Sequence, residues 1–199
     1  MFGLRAMFRG RADHAGTTPM DDRRDALAGA ARAVLALRDH AARHSGLLRM
    51  TVGTLSVEPG GFNIVPAECE LSIDVRAERP GDLDAAREWT TALLHSIAAE
   101  EGLEVEVRTT HGQPPHAFDA GLITALRQAA EAEGASTLDM TSGAGHDAMV
   151  VGRHVPTAML FVPSRDGLSH TPAEYTDPAA CELGARVLAR TVALLTEEP

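Results

Sequence analysis

Cys69-Glu70-Leu71-Ser72-Ile73-Asp74-Val75-Arg76 alternates between apolar and polar residues without a break. Successive side chains of a β-strand point to opposite faces, so Cys69, Leu71, Ile73 and Val75 line one face and Glu70, Ser72, Asp74 and Arg76 the other. One face belongs in a core and the other in water. The flanking segments match it. Leu4 to Arg11 sets Leu4, Ala6 and Phe8 against Arg5, Met7 and Arg9, a second half-buried strand. Ala26, Leu27, Ala30, Val34, Leu37 and Ala41 then recur at helical spacing. That helix closes near His44-Ser45-Gly46, where Gly46 can take the left-handed cap conformation. Met50 to Glu58 reads as a strand, broken by Pro59-Gly60-Gly61, and Phe62 to Pro66 returns the chain. Beyond Arg76, Pro80-Gly81-Asp82 opens a helix with Leu83, Ala86, Leu93 and Ile97 on its apolar stripe. Leu103, Val105 and Val107 alternate with Glu104, Glu106 and Arg108 in a last strand.

Strand, helix, strand, strand, helix, strand is the ferredoxin-like βαββαβ plan, an antiparallel four-stranded sheet with two helices on one face. It predicts a domain over residues 1–115, with Gln113-Pro114-Pro115 as the boundary. Residues 116–199 have a different character. They suggest a helix over about Ala120 to Glu133, a short strand near Thr137 to Met140 and a short helix from Asp147 to Gly152. Thr157 to Val162 is continuously apolar, as in a parallel strand buried on both faces. A closing helix after Asp177-Pro178 carries Ala180, Leu183, Val187, Leu188 and Leu195 on one side. Two strands and three helices in about 85 residues cannot enclose a core of their own. The expectation is therefore an α/β chain in which a complete α+β domain precedes a partial α/β segment, the rest of whose domain lies outside this chain.

Composition narrows the function. A net charge of −10 argues against nucleic acid as the main partner. All 18 basic residues are arginine, so the chain offers no lysine for Schiff-base or general-base chemistry. It has no apolar span of membrane length and no secretory signal pattern, so cytoplasmic is the default location and a membrane is not expected as a partner. Cys69 and Cys181 lack metal or redox spacing.

Two polar loops concentrate reactive residues: Thr141-Ser142-Gly143-Ala144-Gly145-His146-Asp147-Ala148, and Arg165 to Tyr175 with His170 at its centre. His146 and His170 suit a metal or an oxyanion, yet neither has a ligand partner at short spacing. His14, in Asp13-His14-Ala15-Gly16-Thr17-Thr18-Pro19, is either incidental to a helix N-terminus or functional. Asn63 is a turn residue or a ligand contact. Arg76 is a solvated strand charge or a bidentate clamp for a carboxylate.

Five phrases occur in one order: Gly10 to Met20, Pro59 to Pro66, Ile73 to Arg76, Ser142 to Ala148 and Gly167 to Glu174. Together they resemble the hydantoinase-carbamoylase branch, carbamoylases and allantoate amidohydrolases, of the two-metal aminoacylase and carboxypeptidase-like metallohydrolases. The resemblance covers about the second half of a family member. It implies a catalytic α/β domain with a divalent metal pair, zinc or manganese, interrupted by a βαββαβ domain that makes a homodimer. It also implies roles for individual residues. His170 would be a metal ligand, the last of five. His14 would reach into the partner subunit's site and stabilise the oxyanion formed when metal-bound hydroxide attacks a carbonyl. Asn63 and Arg76 would hold the substrate carboxylate, also across the dimer. Gly143 and Gly145 would let backbone N–H groups approach the substrate, with His146 and Asp147 supporting the site from behind. The remaining ligands and the general-base glutamate precede the inserted domain in the family. The amidohydrolase activity, on an N-carbamoyl-L-amino acid or allantoate, is thus implied for a complete protein and not for this chain alone. The alternative is a non-catalytic protein that dimerises and binds small carboxylates.

Overall fold

The computed structural model describes residues 1–44, 46 and 48–196, and the chain divides into two compact units, Met1–Pro115 and His116–Pro199. The architecture is mixed α/β. In the first unit the elements are β1 (Phe2–Arg9), β2 (Asp13–His14), α1 (Ala26–Arg43), β3 (Leu48–Glu58), β4 (Ile64–Val65), β5 (Glu68–Ala77), α2 (Pro80–Glu100) and β6 (Glu104–Gly112). Four strands form an antiparallel sheet in the order β3-β5-β1-β6, while β2 and β4 pair separately as a short ribbon.

The alternation of β5 decides which side of the sheet is covered. Phe2, Leu4, Ala6 and Phe8 of β1 and Cys69, Leu71, Ile73 and Val75 of β5 are each at most 2% exposed. They pack against Ala26, Ala30, Ala33 and Leu37 of α1 and Leu83, Leu94 and Ile97 of α2. Each large apolar side chain buried this way stabilises the unit by about 1.5–3 kcal/mol. Gly29 lets α1 sit close, because a Cβ there would lie 2.5 Å from Leu103 Cδ1. The Asp25 carboxylate caps α1, accepting the N–H groups of Leu27 and Ala28 at 3.0 and 3.2 Å. Pro80 begins α2, where its missing N–H costs nothing. The opposite face of the sheet is polar, and Arg5 meets Glu70 there at 3.1 Å. Gly46 has the expected positive φ, 94°; Ser45, expected at the same helix end, lies outside the described residues. One core position differs from expectation. The buried stripe of α2 passes through Leu94, and Leu93 is only half-buried. The polar Thr90, fully buried one turn earlier, hides that register.

The second unit contains α3 (Ala120–Ala132), α4 (Asp147–Val151) and α5 (Pro178–Thr196). α3 packs on α5 through Ala129, Ala130 and Val187. Glu133 joins them at one end, taking Arg186 at 3.1 Å and Arg190 at 2.6 Å. Neither expected strand forms: Thr137 to Met140 and Thr157 to Val162 are irregular. A strand needs a ladder partner for its N–H and C=O groups, and no described residue supplies one to either segment. Leu160, Phe161 and Val162 are consequently 39, 47 and 36% exposed. Leu188 and Leu195, expected on the packed side of the closing helix, are likewise exposed.

Candidate functional site

His14 lies in the β2–β4 ribbon of the first unit. β2 pairs His14 with Ile64 and Asp13 with Val65, and the Ala15 N–H donates to the Asn63 carbonyl at 2.9 Å. The structure thus brings His14 and Asn63 together. The loop holds its histidine in a defined state. Nδ1 of His14 accepts the Gly16 N–H at 3.0 Å, so in the neutral ring the proton sits on Nε2 and is available to a ligand. The Asp13 carboxylate accepts the His14 N–H at 2.9 Å. That bond, aided by the Thr18 hydroxyl and the nearby Arg11 guanidinium, holds Asp13 below the usual carboxylate range. Arg23 was invisible as a site residue from sequence, yet its guanidinium donates to the Ala15 carbonyl at 2.5 Å and to the Thr18 carbonyl at 3.2 and 3.1 Å.

Arg76 lies elsewhere. Its Nε donates to Asp74 Oδ1 at 2.7 Å on the polar face of β5. This is the end of the sheet where Phe2 pairs with Val75 and the Gln113 N–H donates to the Met1 carbonyl at 2.8 Å. The Gly10 N–H donates to the Ala67 carbonyl at the other end, next to the ribbon. β5 runs about 26 Å between Glu68 and Arg76. His14 and Asn63 therefore cannot share one small carboxylate with Arg76 of the same chain.

In the second unit, Ser142 to Asp147 forms an open loop before α4. Nε2 of His146 lies 2.7 Å from the Ser142 hydroxyl, and its ring meets Phe161 edge-on at 5.8 Å. Asp147 occupies the first turn of α4, where a carboxylate suits the helix dipole. A Cβ at Gly143 would meet no atom within 4 Å. Gly145 belongs to the same loop. His170 adopts a left-handed backbone conformation, φ 60°, as does Asp166, φ 55°. Such conformations cost about 1–3 kcal/mol and collect at functional sites. The His170 N–H donates to Glu174 Oε2 at 2.7 Å. Arg165 closes the loop, donating its N–H to the Tyr175 carbonyl at 2.8 Å with its guanidinium over the Tyr175 ring at 4.2 Å.

No group of three or more His, Cys, Asp or Glu side chains that could hold a metal gathers among the described residues. His170 alone does not fit a two-ion centre. No helix among the described residues is long and apolar enough to cross a membrane.

Fold and ordered phrases together define a mixed α/β hydrolase fold. The chain belongs to the peptidase family M20/M25/M40, whose family model matches residues 19–194. It is 37% identical over 179 residues to an allantoate amidohydrolase of Bacillus subtilis, covering 90% of this chain and 43% of that protein. It is 35% identical over 192 residues to an N-carbamoyl-L-amino-acid amidohydrolase of Paenarthrobacter aurescens, covering 96% and 47%. Among solved structures, a hydantoinase/carbamoylase family amidase from Burkholderia multivorans superposes with a TM-score of 0.93 at 36% identity, over all of this chain and 48% of that one. The chain spans under half the length of these relatives. Members of the family generally use a pair of divalent metal ions.

Proposed function

We propose that this chain supplies the pairing domain and the C-terminal catalytic segment of an amidohydrolase that cleaves a carbamoyl or ureido C–N bond in a carboxylate-bearing substrate. The substrate is an N-carbamoyl-L-amino acid or a ureido acid such as allantoate, and ammonia is released. One observation carries the reading: His14, with its ring proton on Nε2, stands exposed beside Asn63 at the β2–β4 ribbon. Negative charge develops on the carbonyl oxygen as the carbonyl carbon is attacked, before the C–N bond breaks, and a pre-set Nε2–H is a donor for it. The ferredoxin-like unit serves as the dimerisation domain. β3, eleven residues long, is an edge strand charged only at Arg49 and Glu58. The other edge, β6, carries Glu104, Glu106 and Arg108. Edges that stay unpaired are blunted by charge, so β3 is the edge that pairs with a second copy.

In the homodimer His14 and Asn63 of one chain serve one active site, and Arg76 of that chain holds the substrate carboxylate in the other. The 26 Å or so of β5 between these ends motivates that division. Gly143 and Gly145 lend backbone donors, His146 and Asp147 brace their loop, and His170 is a ligand of the metal pair in the complete protein. His14→Ala in the complete protein is expected to lower kcat about 10²–10³-fold with KM nearly unchanged. Steady-state ammonia release from N-carbamoyl amino acids and allantoate measures it. A variant that keeps wild-type kcat on every active substrate removes His14 from the mechanism.

A further inference from the structure

We infer that Arg23 is a positioning residue that sets the tautomer and direction of His14. The inference rests on the reading of His14 as the oxyanion donor, but its geometry stands apart from it. After β2 the chain turns, and the carbonyls of His14, Ala15 and Thr18 accept hydrogen bonds from within the turn and from Arg23. The Thr18 N–H and hydroxyl take the His14 carbonyl at 3.1 and 2.8 Å. The Arg23 guanidinium takes the other two. Its Nη2 donates to the Ala15 carbonyl at 2.5 Å and to the Thr18 carbonyl at 3.1 Å, and its Nε reaches the Thr18 carbonyl at 3.2 Å.

Two further bonds make this more than loop stabilisation. The Ala15 carbonyl held by Arg23 belongs to the peptide whose N–H, that of Gly16, donates to His14 Nδ1. Arg23 therefore orients the donor that fixes the ring proton on Nε2. Ala15 also donates its own N–H to the Asn63 carbonyl, so the same residue keeps Asn63 beside the histidine. A guanidinium reaches both carbonyls from one planar fork, whereas an ammonium is a single point on a flexible stem. The assignment thus separates arginine from lysine at this position.

The test uses the full chain labelled with ¹⁵N-histidine, with His14 identified by loss of its signals in His14→Asn. Two-bond ¹H–¹⁵N correlations at about pH 8.5, where imidazoles are neutral, report the tautomer of each ring. Wild type is expected to show His14 protonated on Nε2 alone. Arg23→Ala is expected to shift His14 to an average of both tautomers in a chain that stays folded, leaving the other eight histidines unchanged. Arg23→Lys should fail to restore the wild-type signal. An unchanged His14 signal in folded Arg23→Ala overturns the inference, as does full rescue by lysine. If Arg23→Ala does not fold, Arg23→Lys is read the same way, and unfolding of both assigns Arg23 to the domain rather than to His14. The outcome does not depend on whether His14 touches an oxyanion. Failure of that reading would show only in the turnover of His14→Ala.

Discussion

Two buried or half-buried side chains set limits on the first unit that substitution can move. Thr90 is fully buried in α2, and its hydroxyl has no hydrogen-bond partner among the described residues. An unpaired buried hydroxyl costs about 1–3 kcal/mol, so Thr90→Val, similar in shape and apolar, is expected to stabilise the chain by roughly 1 kcal/mol. Denaturant unfolding with an unchanged slope measures that gain. His40 of α1 stacks on Trp89 of α2 at 3.5 Å, with the His44 ring 4.5 Å away. Burial first, then the charges of His44 and Arg43, lower its pKa below the ordinary 6.5. A folded-state pKa below the unfolded value means that the unfolded chain binds the proton more readily. The contribution of His40 is then fully present above about pH 6.5 and is lost as pH falls through the folded value. Thermal midpoints of the wild type should fall between about pH 7 and pH 5, and His40→Gln should flatten that slope. Trp89, the single tryptophan, reports the transition by its fluorescence.

At the scale of elements, β3 carries the assembly argument. Leu55 is 43% exposed on this edge strand, and Leu55→Arg places a charge where two copies would meet. The variant is expected to weaken the dimer at least tenfold in Kd by sedimentation while keeping the wild-type fold. Much of the first unit was legible in sequence because β1 and β5 alternate strictly and α1 keeps its apolar spacing through Ala30 and Leu37. Those signals are local. The second unit was legible only in its helices. The apolar run Thr157 to Val162 carries the composition of a strand, but a strand is a pairing, and its partner is not a property of the run itself. The site followed the same division. The residues in the ordered phrases were nameable, whereas Arg23 works through backbone carbonyls of a turn, which sequence periodicity does not register. The separation of Arg76 from Asn63 also needed the direction of β5.

At the scale of the whole molecule, the two units contrast in completeness. The first encloses a continuous core from Phe2 to Leu103. The second buries little beyond Ala129, Ala130 and Val187 and leaves Leu138, Met140, Leu188 and Val192 over half exposed. These exposed apolar side chains are where the remainder of the proposed catalytic domain would pack. The central claim is that His14 and Arg76 of one chain serve two different active sites of a dimer. Co-expression of His14→Ala and Arg76→Ala copies of the complete protein tests this most directly. Random pairing makes half of the dimers mixed, and in each mixed dimer one site receives an intact Arg76 from one chain and an intact His14 from the other. Turnover is then expected to recover to about a quarter of the wild-type level, well above either variant alone. No recovery in verified mixed dimers would contradict the account, because it would mean that both residues act in the same site.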